Sequence, residues 1–224
     1  MEETNIKLLM KEFVNHDVIR FVFEKPSGLI FTPGQATELS ISGEEDSWRP
    51  FTFASSPEDL VLEFIIKIYP EHGGVTEKLS KLIPGDEVRI KDIFGSIKYE
   101  DKGVFIAGGA GITPFIPILR NLKKKEKMQG NRLIFSNKTS KDVIIEKELR
   151  EIFSKEDLVL TLTQEESKEG FEFGKIDEKF IEKHVKDFGQ KFYICGPPRF
   201  TKDIRGILED KGAKPDSLIF EGKK

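Results

Sequence analysis

Apolar and polar residues alternate in short runs over the first hundred positions, as they do in antiparallel β-strands with one buried face. Ile6, Leu8 and Met10 alternate with polar neighbours, and five further apolar or alternating runs follow. Those runs cover residues 19–23, 37–41, 51–54, 60–68 and 87–90. Turn-forming Pro and Gly residues separate them, and one predicted helix over 76–82 interrupts them. The pattern predicts an antiparallel six-stranded barrel domain over residues 1–100.

From residue 101 onwards the pattern changes to strands that alternate with helices, which is typical of a parallel sheet with crossover helices. The predicted strands are 104–107, 133–136, 158–162, 192–195 and 218–220, and the predicted helices are 113–127, 143–153, 177–185 and 200–211. We therefore predict a five-stranded parallel α/β nucleotide-binding domain over residues 101–224. Its ligands are expected beyond the carboxyl ends of the strands.

Three glycines within four residues follow the first of these parallel strands, at Gly108, Gly109 and Gly111. We expect Thr113 to N-cap the next helix, with Pro114 at its first position. Glycines allow a phosphate to approach the backbone, and a helix N-terminus favours negative charge. The glycine spacing is not G-x-G-x-x-G. By itself the segment fits either a dinucleotide or phosphate site or a tight turn that binds nothing.

An arginine, an aromatic ring and a hydroxyl lie close together in the barrel half, at Arg49, Phe51 and Thr52. The arginine can form forked hydrogen bonds to a phosphate, the ring can stack and the hydroxyl can donate. Neighbouring side chains of a strand face opposite ways, so Phe51 and Thr52 need a bulge or twist to meet one flat ligand. An ordinary strand with a solvated arginine is the alternative.

A second glycine pair, Gly73 and Gly74, opens the predicted helix of the barrel half, with Thr76 at the cap. The same physical argument makes it a second anion site, or a plain helix start. Two such sites, one in each half, match two pyrophosphates and therefore two dinucleotides.

Composition narrows the class of protein. The net charge is −3 with both signs mixed along the chain, which argues against a nucleic-acid surface. The single Cys195 excludes an internal disulfide, a four-cysteine zinc site and a cysteine-bound iron–sulfur cluster. His16, His72 and His184 lack metal-ligand spacing, so no metal is expected. Without an apolar run long enough for a membrane span or a signal pattern, we expect a cytoplasmic protein.

Four motifs in this order resemble the ferredoxin–NADP reductase superfamily, and the resemblance covers nearly the whole chain. Arg49-Pro50-Phe51-Thr52 resembles its flavin-binding motif, and Gly74-Val75-Thr76 resembles its pyrophosphate loop. The segments 109–114 (Gly-Ala-Gly-Ile-Thr-Pro) and 195–198 (Cys-Gly-Pro-Pro) resemble its two nicotinamide-nucleotide motifs. No iron–sulfur or haem domain accompanies them in this sequence.

The resemblance implies roles for individual residues. Arg49 would bind the flavin phosphates, Phe51 would stack on the isoalloxazine and Thr52 would hydrogen-bond its N5. The implied catalytic set is Thr52, Cys195 and Glu221. The cofactor-binding set is Arg49, Pro50, Phe51, Thr52, Ile66, Lys67, Ile68, Gly73, Gly74, Val75, Thr76, Gly109, Ala110, Gly111, Ile112, Thr113, Pro114, Ser136, Lys138, Cys195, Gly196, Pro197 and Phe220.

Two positions depart from the family pattern. Phe51 replaces the usual tyrosine, which keeps the stacking surface but loses one hydroxyl contact. Lys223 stands where many members place a C-terminal aromatic over the flavin, unless Phe220 takes that role.

The expected function is hydride transfer between NAD(P)H and FAD, with electrons passed to a separate acceptor. That acceptor would be a small redox protein, ferredoxin or flavodoxin, or a small molecule, and the protein would be a monomer. The alternative is a relay flavoprotein subunit of a larger electron-transfer complex. Ser136, Lys138 and Thr139 at the expected ribose site favour NADPH over NADH, because the nearest carboxylate, Asp142, lies further along the chain.

Overall fold

The computed structural model describes residues 3–41, 48–70 and 73–222 and places them in two six-stranded sheets. The strands of the first sheet are β1 (Thr4–Phe13), β2 (Val18–Glu24), β3 (Ala36–Ile41), β4 (Arg49–Thr52), β5 (Val61–Lys67) and β6 (Glu87–Phe94), and helix α1 (Val75–Lys81) follows β5. This sheet is antiparallel, with strand order β4-β3-β6-β1-β2-β5. The predicted antiparallel six-stranded half is confirmed.

A bulge in β1 changes which of its side chains are buried. Leu8 lies opposite Phe23 of β2, but Met10 lies opposite Val22, so the register shifts by one residue between them. Ile6 and Leu8 are buried as the alternation predicts, whereas Met10 is 41% exposed. The predicted inward orientation of Met10 is therefore wrong, because a shift of one residue moves a side chain to the other face.

The second sheet is parallel, with order β10-β9-β8-β7-β11-β12. Its strands are β7 (Gly103–Gly108), β8 (Arg132–Asn137), β9 (Leu158–Leu162), β10 (Glu172–Phe173), β11 (Lys191–Cys195) and β12 (Leu218–Phe220). Its helices are α2 (Phe115–Lys124), α3 (Glu146–Ile152), α4 (Glu178–His184) and α5 (Pro198–Asp210). The predicted boundary at residue 100 falls between the last strand of the first sheet and the first strand of the second. Within the described ranges, no helix is both long and apolar enough to cross a membrane.

The parallel sheet contains one strand more than the five predicted. Strand β10 is two residues long and extends the sheet at the edge of β9. The adjoining Gly174 N–H donates to Leu162 O at 2.8 Å, and Thr161 Oγ1 donates to Gly174 O at 2.8 Å. A two-residue strand has no periodic pattern in the sequence, and these tertiary hydrogen bonds create it.

Helix α2 begins later and ends earlier than predicted. Residues Gly109–Ile112 form a 3-10 turn, and Thr113 already has helical angles (φ −56°, ψ −43°). Its hydroxyl donates to Ala110 O at 2.9 Å, so Pro114, not Thr113, occupies the N-cap position. The helix stops at Lys124 because Glu126 has a positive φ of 55°, which a right-handed helix cannot accommodate.

The barrel and the parallel sheet share one apolar core. Val18, Ala54 and Ile65 of the barrel half belong to the same buried cluster as α2 residues such as Ile116 and Leu119. The interface between the two halves is thus built like a protein interior, which favours one fixed arrangement.

The segment that joins the two halves is anchored to β11 by the buried Tyr193. Its hydroxyl accepts hydrogen bonds from the Glu100 N–H at 3.0 Å and the Asp101 N–H at 3.1 Å, and donates to Asp101 O at 2.6 Å. Its ring stacks on Phe105 with centroids 4.4 Å apart.

Replacing this anchor should destabilise the protein without changing its shape. We expect Tyr193→Phe to lower the free energy of unfolding by about 1–3 kcal/mol, because two backbone N–H groups lose their acceptor. Tyr99→Phe is the matched control, since the Tyr99 hydroxyl accepts only one described hydrogen bond, from Asn131 Nδ2 at 3.2 Å, and its loss should cost less. Urea unfolding measures both, and equal stability of Tyr193→Phe and the parent protein would contradict the anchoring role.

Candidate functional site

A cleft of about 770 Å³ lies between the barrel and the carboxyl edge of the parallel sheet. The barrel side of its wall consists of Val18, Ala36, Pro50, Phe51, Thr52, Ile65, Ile66, Lys67, Tyr69 and Thr76. The other side consists of Gly108, Gly109, Ala110, Gly111, Thr113, Pro114, Ser136, Asn137, Lys138, Asp142, Ile144, Thr163, Cys195, Gly196, Pro197, Phe200 and Glu221. Every segment of the second group lies at or just beyond the carboxyl end of a parallel strand, as expected for this sheet type.

Phe51 and Thr52 both face the cleft, although they are neighbours on the chain. Strand β4 ends at Thr52, and the chain then turns so that Phe53 is fully buried against Phe31 with centroids 4.2 Å apart. The end of the strand therefore supplies the turn that Phe51 and Thr52 need to meet one ligand. The Thr52 hydroxyl makes no hydrogen bond to any residue that the structure describes, so it is available to a ligand.

Arg49 lies next to the cleft but not in its wall. Its side chain is exposed, and Nη1 donates to the carbonyl of Trp48 at 2.7 Å. The side chain would have to swing away from this contact to reach a phosphate. Its role in binding stays a prediction.

The second predicted anion site is only partly in the cleft. Thr76 lines the wall, but Gly73, Gly74 and Val75 do not. Thr76 does not cap α1, because its Oγ1 accepts from Tyr69 N at 3.4 Å and Gly74 is the N-cap residue. The Gly73 N–H already donates to Glu77 Oε2 at 2.9 Å.

Strand β5 forms the barrel wall with Ile65, Ile66 and Lys67. It is an edge strand, so one side of its backbone is open near the cleft. Ile68 follows in the chain, packs in the barrel core and is not part of the wall. The structure thus brings two of the three predicted residues, Ile66 and Lys67, to the site.

Two loops of the nucleotide half approach each other so closely that only glycine fits between them. A Cβ on Gly111 would lie 2.3 Å from Cys195 O and 2.6 Å from Gly196 N. Gly109 has a positive φ of 54° and open space where a Cβ would stand, so its backbone faces the cleft unobstructed. Ile112, in contrast, is fully buried and supports the turn from beneath.

We expect Gly111→Ala to impair nucleotide binding by at least about tenfold, because the loop that carries Cys195 must move to admit the new methyl group. Gly206→Ala is the control: its Cβ would meet nothing within 4 Å, and it lies inside helix α5. That change should leave binding unchanged and stabilise the fold by about 0.5–1 kcal/mol. Calorimetric titration with the nucleotide and thermal unfolding measure both variants, and unimpaired binding by Gly111→Ala would contradict the close-approach argument.

Cys195 and Glu221 form an electrostatically coupled pair in the wall. Burial, followed by the neighbouring Glu221 carboxylate, raises the pKa of the Cys195 thiol to about 12. Glu221 is accessible from the cleft, yet the surrounding protein atoms displace enough water to raise the pKa of its carboxyl. The thiol is therefore neutral at physiological pH, which makes it a poor nucleophile.

The carboxyl end of β8 contributes Ser136 and Lys138, as predicted, and also Asn137, which the sequence analysis missed. Asn137 is 5% exposed, and neither atom of its side-chain amide has a hydrogen-bond partner among the described residues. The sequence signal that could have found it is its place at a parallel strand end. Phe200 was also missed; its ring packs against the backbones of Gly108 and Gly196, where an added Cβ would lie 3.3 Å and 2.6 Å from the ring.

A small ion cluster lies at the edge of the cleft, and the sequence analysis did not anticipate it. His16 Nε2 lies 3.6 Å from both Asp17 Oδ2 and Asp142 Oδ1, and Lys67 Nζ lies 2.5 Å from Asp17 Oδ2. Burial of Asp142 opposes its ionisation, but hydrogen bonds from Thr139 and the nearby positive charges lower its pKa. This carboxylate therefore stays negative.

Near the end of the chain, the structure shows where Phe220 lies. The Phe220 side chain is 8% exposed, packs in the core of the nucleotide half and lies outside the cleft wall. The Arg205 guanidinium covers its ring at 3.9 Å, and its carbonyl accepts from Ser96 Oγ at 2.8 Å. Lys223, expected near the flavin face, lies outside the described residues.

Fold and cleft together define a two-domain flavin- and nicotinamide-dependent oxidoreductase. An oxidoreductase FAD-binding domain model matches residues 5–99, and an oxidoreductase NAD-binding domain model matches residues 105–206. NADH-cytochrome b5 reductase 1 of Bos taurus is 30% identical, with 88% of this chain and 78% of the relative covered. The chain belongs to the ferredoxin–NADP reductase superfamily, and its cofactors are FAD and NAD(P).

Other relatives and solved structures also match nearly the whole of this chain. NADH-cytochrome b5 reductase 2 of Rattus norvegicus is 29% identical over 96% of this chain and 92% of the relative. The chain spans 66% of the enzyme of that name from Mycosarcoma maydis. The human Ncb5or domains superpose with a TM-score of 0.84 at 28% identity, over 98% of this chain and 69% of that one. A ferredoxin NADP+ reductase from Neisseria gonorrhoeae superposes with a TM-score of 0.85 at 20% identity, covering 99% and 98% of the two chains.

The residues of the cleft fit both cofactors. Phe51 offers a half-buried aromatic face, the adjacent Thr52 hydroxyl is unpartnered among the described residues, and β5 presents an open backbone edge. On the opposite wall, the Gly109 backbone is open to a phosphate, and Cys195 presents a neutral surface.

Proposed function

We propose that the protein is a reductase that uses NADH to reduce its FAD and then passes electrons to a separate small haem protein of the cytochrome b5 type. The observation that carries the proposal is the single cleft that unites the flavin-side wall, with Phe51 and Thr52, and the nucleotide-side wall, with Gly111 and Cys195. When bound, FAD supplies the chemistry by accepting two electrons as hydride and releasing them one at a time.

The chain's own residues bind, orient and exclude water. Phe51 would hold the flavin ring by its face, and the Thr52 hydroxyl would donate a hydrogen bond to the ring edge. The neutral Cys195 thiol would pack against the nicotinamide and keep it in reach of that ring. Glu221, whose carboxyl has a raised pKa, would hold a proton beside them at higher pH than a solvated glutamate.

The choice of acceptor rests on the relatives, several of which are named NADH-cytochrome b5 reductases. The sequence by itself is consistent with ferredoxin, flavodoxin or a small molecule as the acceptor, and with a relay subunit as the alternative. The test is steady-state reduction of soluble cytochrome b5, ferredoxin, flavodoxin and ferricyanide by the FAD-loaded protein.

We expect NADH-driven reduction of ferricyanide and of cytochrome b5, with the latter faster than that of ferredoxin or flavodoxin by at least about tenfold in kcat/KM. Reduction of ferricyanide with no preference for the haem protein would contradict the acceptor proposal. A flavin that NADH and NADPH both fail to reduce would contradict the proposed reductase activity and favour the relay subunit.

We also propose a cytoplasmic location and a monomeric state for the protein.

The structure provides a reason to propose NADH where the sequence pattern favoured NADPH. Besides Lys138, the loop after β8 has two carboxylates beside it: Asp142 in the cleft wall and Glu165, whose Oε2 accepts from Ser140 N at 2.6 Å. The Ser140 hydrogen bonds lower the pKa of Glu165, so it stays ionised. Fixed negative charge here would repel a 2′-phosphate, whereas a ribose diol can donate to it.

The nucleotide proposal predicts that kcat/KM for NADH exceeds that for NADPH by at least about tenfold. Glu165→Gln should bring the kcat/KM values for NADH and NADPH closer together, because it removes one negative charge from the loop. Lys138→Ala should move them further apart, because it removes a positive charge. Glu166→Gln, one residue further along, is the control and should change nothing. A preference for NADPH in the parent protein would refute the proposal.

A further inference from the structure

A chain of five alternating charges crosses the boundary between the two halves. Arg20 joins Glu12 (Nη1–Oε1, 2.9 Å) to Glu63 (Nη2–Oε2, 2.7 Å) within the barrel. Arg120 of α2 then joins Glu63 (Nη1–Oε1, 2.7 Å) to Glu148 of α3 (Nε–Oε1, 2.5 Å; Nη2–Oε2, 2.9 Å). The Glu63–Arg120 pair is the link in this chain that spans the two halves.

Glu63 is the most enclosed member, at 4% exposure. A buried carboxylate is stable only when charged or polar partners surround it, and here two guanidinium groups each bind one of its oxygens. Its backbone is fixed too, because the Glu63 N–H donates to Ser55 Oγ at 3.1 Å. The carboxylate therefore has a defined position on the barrel.

Arg120 is held as firmly from the other side. Its Nη1 donates to Ala54 O at 3.0 Å as well as to Glu63, and its remaining fork is occupied by Glu148. Burial opposes its charge, yet the hydrogen bonds and charges of Glu148 and Glu63 raise its pKa, so it remains a cation. The Arg120 guanidinium is thus held by Ala54, Glu63 and Glu148 at once, which leaves it little freedom to move relative to the barrel.

Both members of the pair lie a short way from the cleft. Arg120 comes six residues after Pro114, which is about 9 Å along a helix, and Glu63 comes two residues before Ile65, about 7 Å along a strand. The helix that begins in the nucleotide wall is thus tied to the strand that continues into the flavin wall. The apolar core around them resists separation but is non-directional, whereas the ion pair resists sliding.

We propose that Glu63 and Arg120 are positioning residues for hydride transfer, which fix the separation and alignment of the flavin and nucleotide walls. The inference rests on the proposed reductase function. Neither residue lines the cleft, so they act through α2 and β5. Hydride transfer is more sensitive to small displacements than nucleotide binding is, because the reacting atoms of the flavin and the nicotinamide must stay close together and aligned.

The test compares Glu63→Gln and Arg120→Gln with Glu58→Gln in the FAD-loaded protein. Glu58 pairs with Lys124 at 2.6 Å, so it also links the barrel to α2, one turn from Arg120, but both side chains are well exposed. The Glu58–Lys124 pair is therefore a matched control. It crosses the same boundary, but an ion pair this exposed should contribute almost nothing to the alignment of the two halves. Stopped-flow absorbance gives the flavin reduction rate at saturating nucleotide, the nucleotide Kd and the long-wavelength charge-transfer band.

We expect each of the two central variants to reduce its flavin at least about tenfold more slowly, with a weaker charge-transfer band and a Kd within about threefold of the parent. The deuterium isotope effect from nucleotide labelled at the transferred position should persist, which identifies the slowed step as hydride transfer. The double variant should be no slower than the slower single variant, because the two residues act as one unit. Glu58→Gln should match the parent.

Unchanged flavin reduction in Glu63→Gln, even with a lower unfolding temperature, would assign the pair a purely structural role and overturn the proposal. If Glu63→Gln does not fold, Arg120→Lys decides, since it keeps the charge but loses the fork: slower reduction supports the proposal and an unchanged rate overturns it. The parent protein separates this proposal from the underlying one. A parent flavin that nucleotide cannot reduce refutes the reductase function, whereas equal reduction of parent and variants refutes only the positioning role.

Discussion

The packing of helix α2 between the parallel sheet and the barrel is the contact on which the rest of the structure depends. Its residues Phe115, Ile116, Ile118 and Leu119 are all nearly inaccessible to solvent, so the helix is buried on more than one face. The turn that begins it forms part of the nucleotide-side wall of the cleft. Whatever fixes α2 against the barrel therefore fixes the two walls relative to each other.

The cleft combines backbone and side chains from both halves. On the nucleotide side, glycines allow two loops to approach within a distance that no Cβ would permit. On the flavin side, the end of β4 lets neighbouring residues face the same space. Charged groups stay at the edge, where Lys67 offsets the negative charge of Asp142, and the thiol of Cys195 stays neutral. Such a lining suits flat, partly apolar rings that carry phosphate groups at one end.

Much of this architecture could be predicted because it follows from local rules. Alternation of apolar residues identified the six antiparallel strands, and the change to strand–helix alternation located the second half. What could not be predicted depends on tertiary contacts. Met10 turns outward at a bulge, β10 exists through hydrogen bonds to Leu162 and Thr161, and Thr113 joins a 3-10 turn that local capping rules do not anticipate.

The candidate site could likewise be predicted where it follows local rules and not where it depends on tertiary contacts. Glycine clusters and predicted strand ends identified most residues of the cleft wall, because parallel strands place their carboxyl ends at the same edge of the sheet. Asn137 could have been found from its place at a strand end, although nothing in the sequence shows that its amide is buried and unpartnered. The His16 cluster could not, because nothing in the local sequence brings residue 16 beside residue 142. Glu63 and Arg120 could not be paired from sequence either, because 57 positions and a domain boundary separate them.

The proposed function requires that one cleft holds both cofactors with their rings in contact. A crystal structure of the protein loaded with FAD and NAD+ would show this arrangement. We expect the isoalloxazine against Phe51 and Thr52, with the nicotinamide between it and Cys195. A nucleotide bound elsewhere, or a flavin that leaves Phe51 and Thr52 uncontacted, would contradict it.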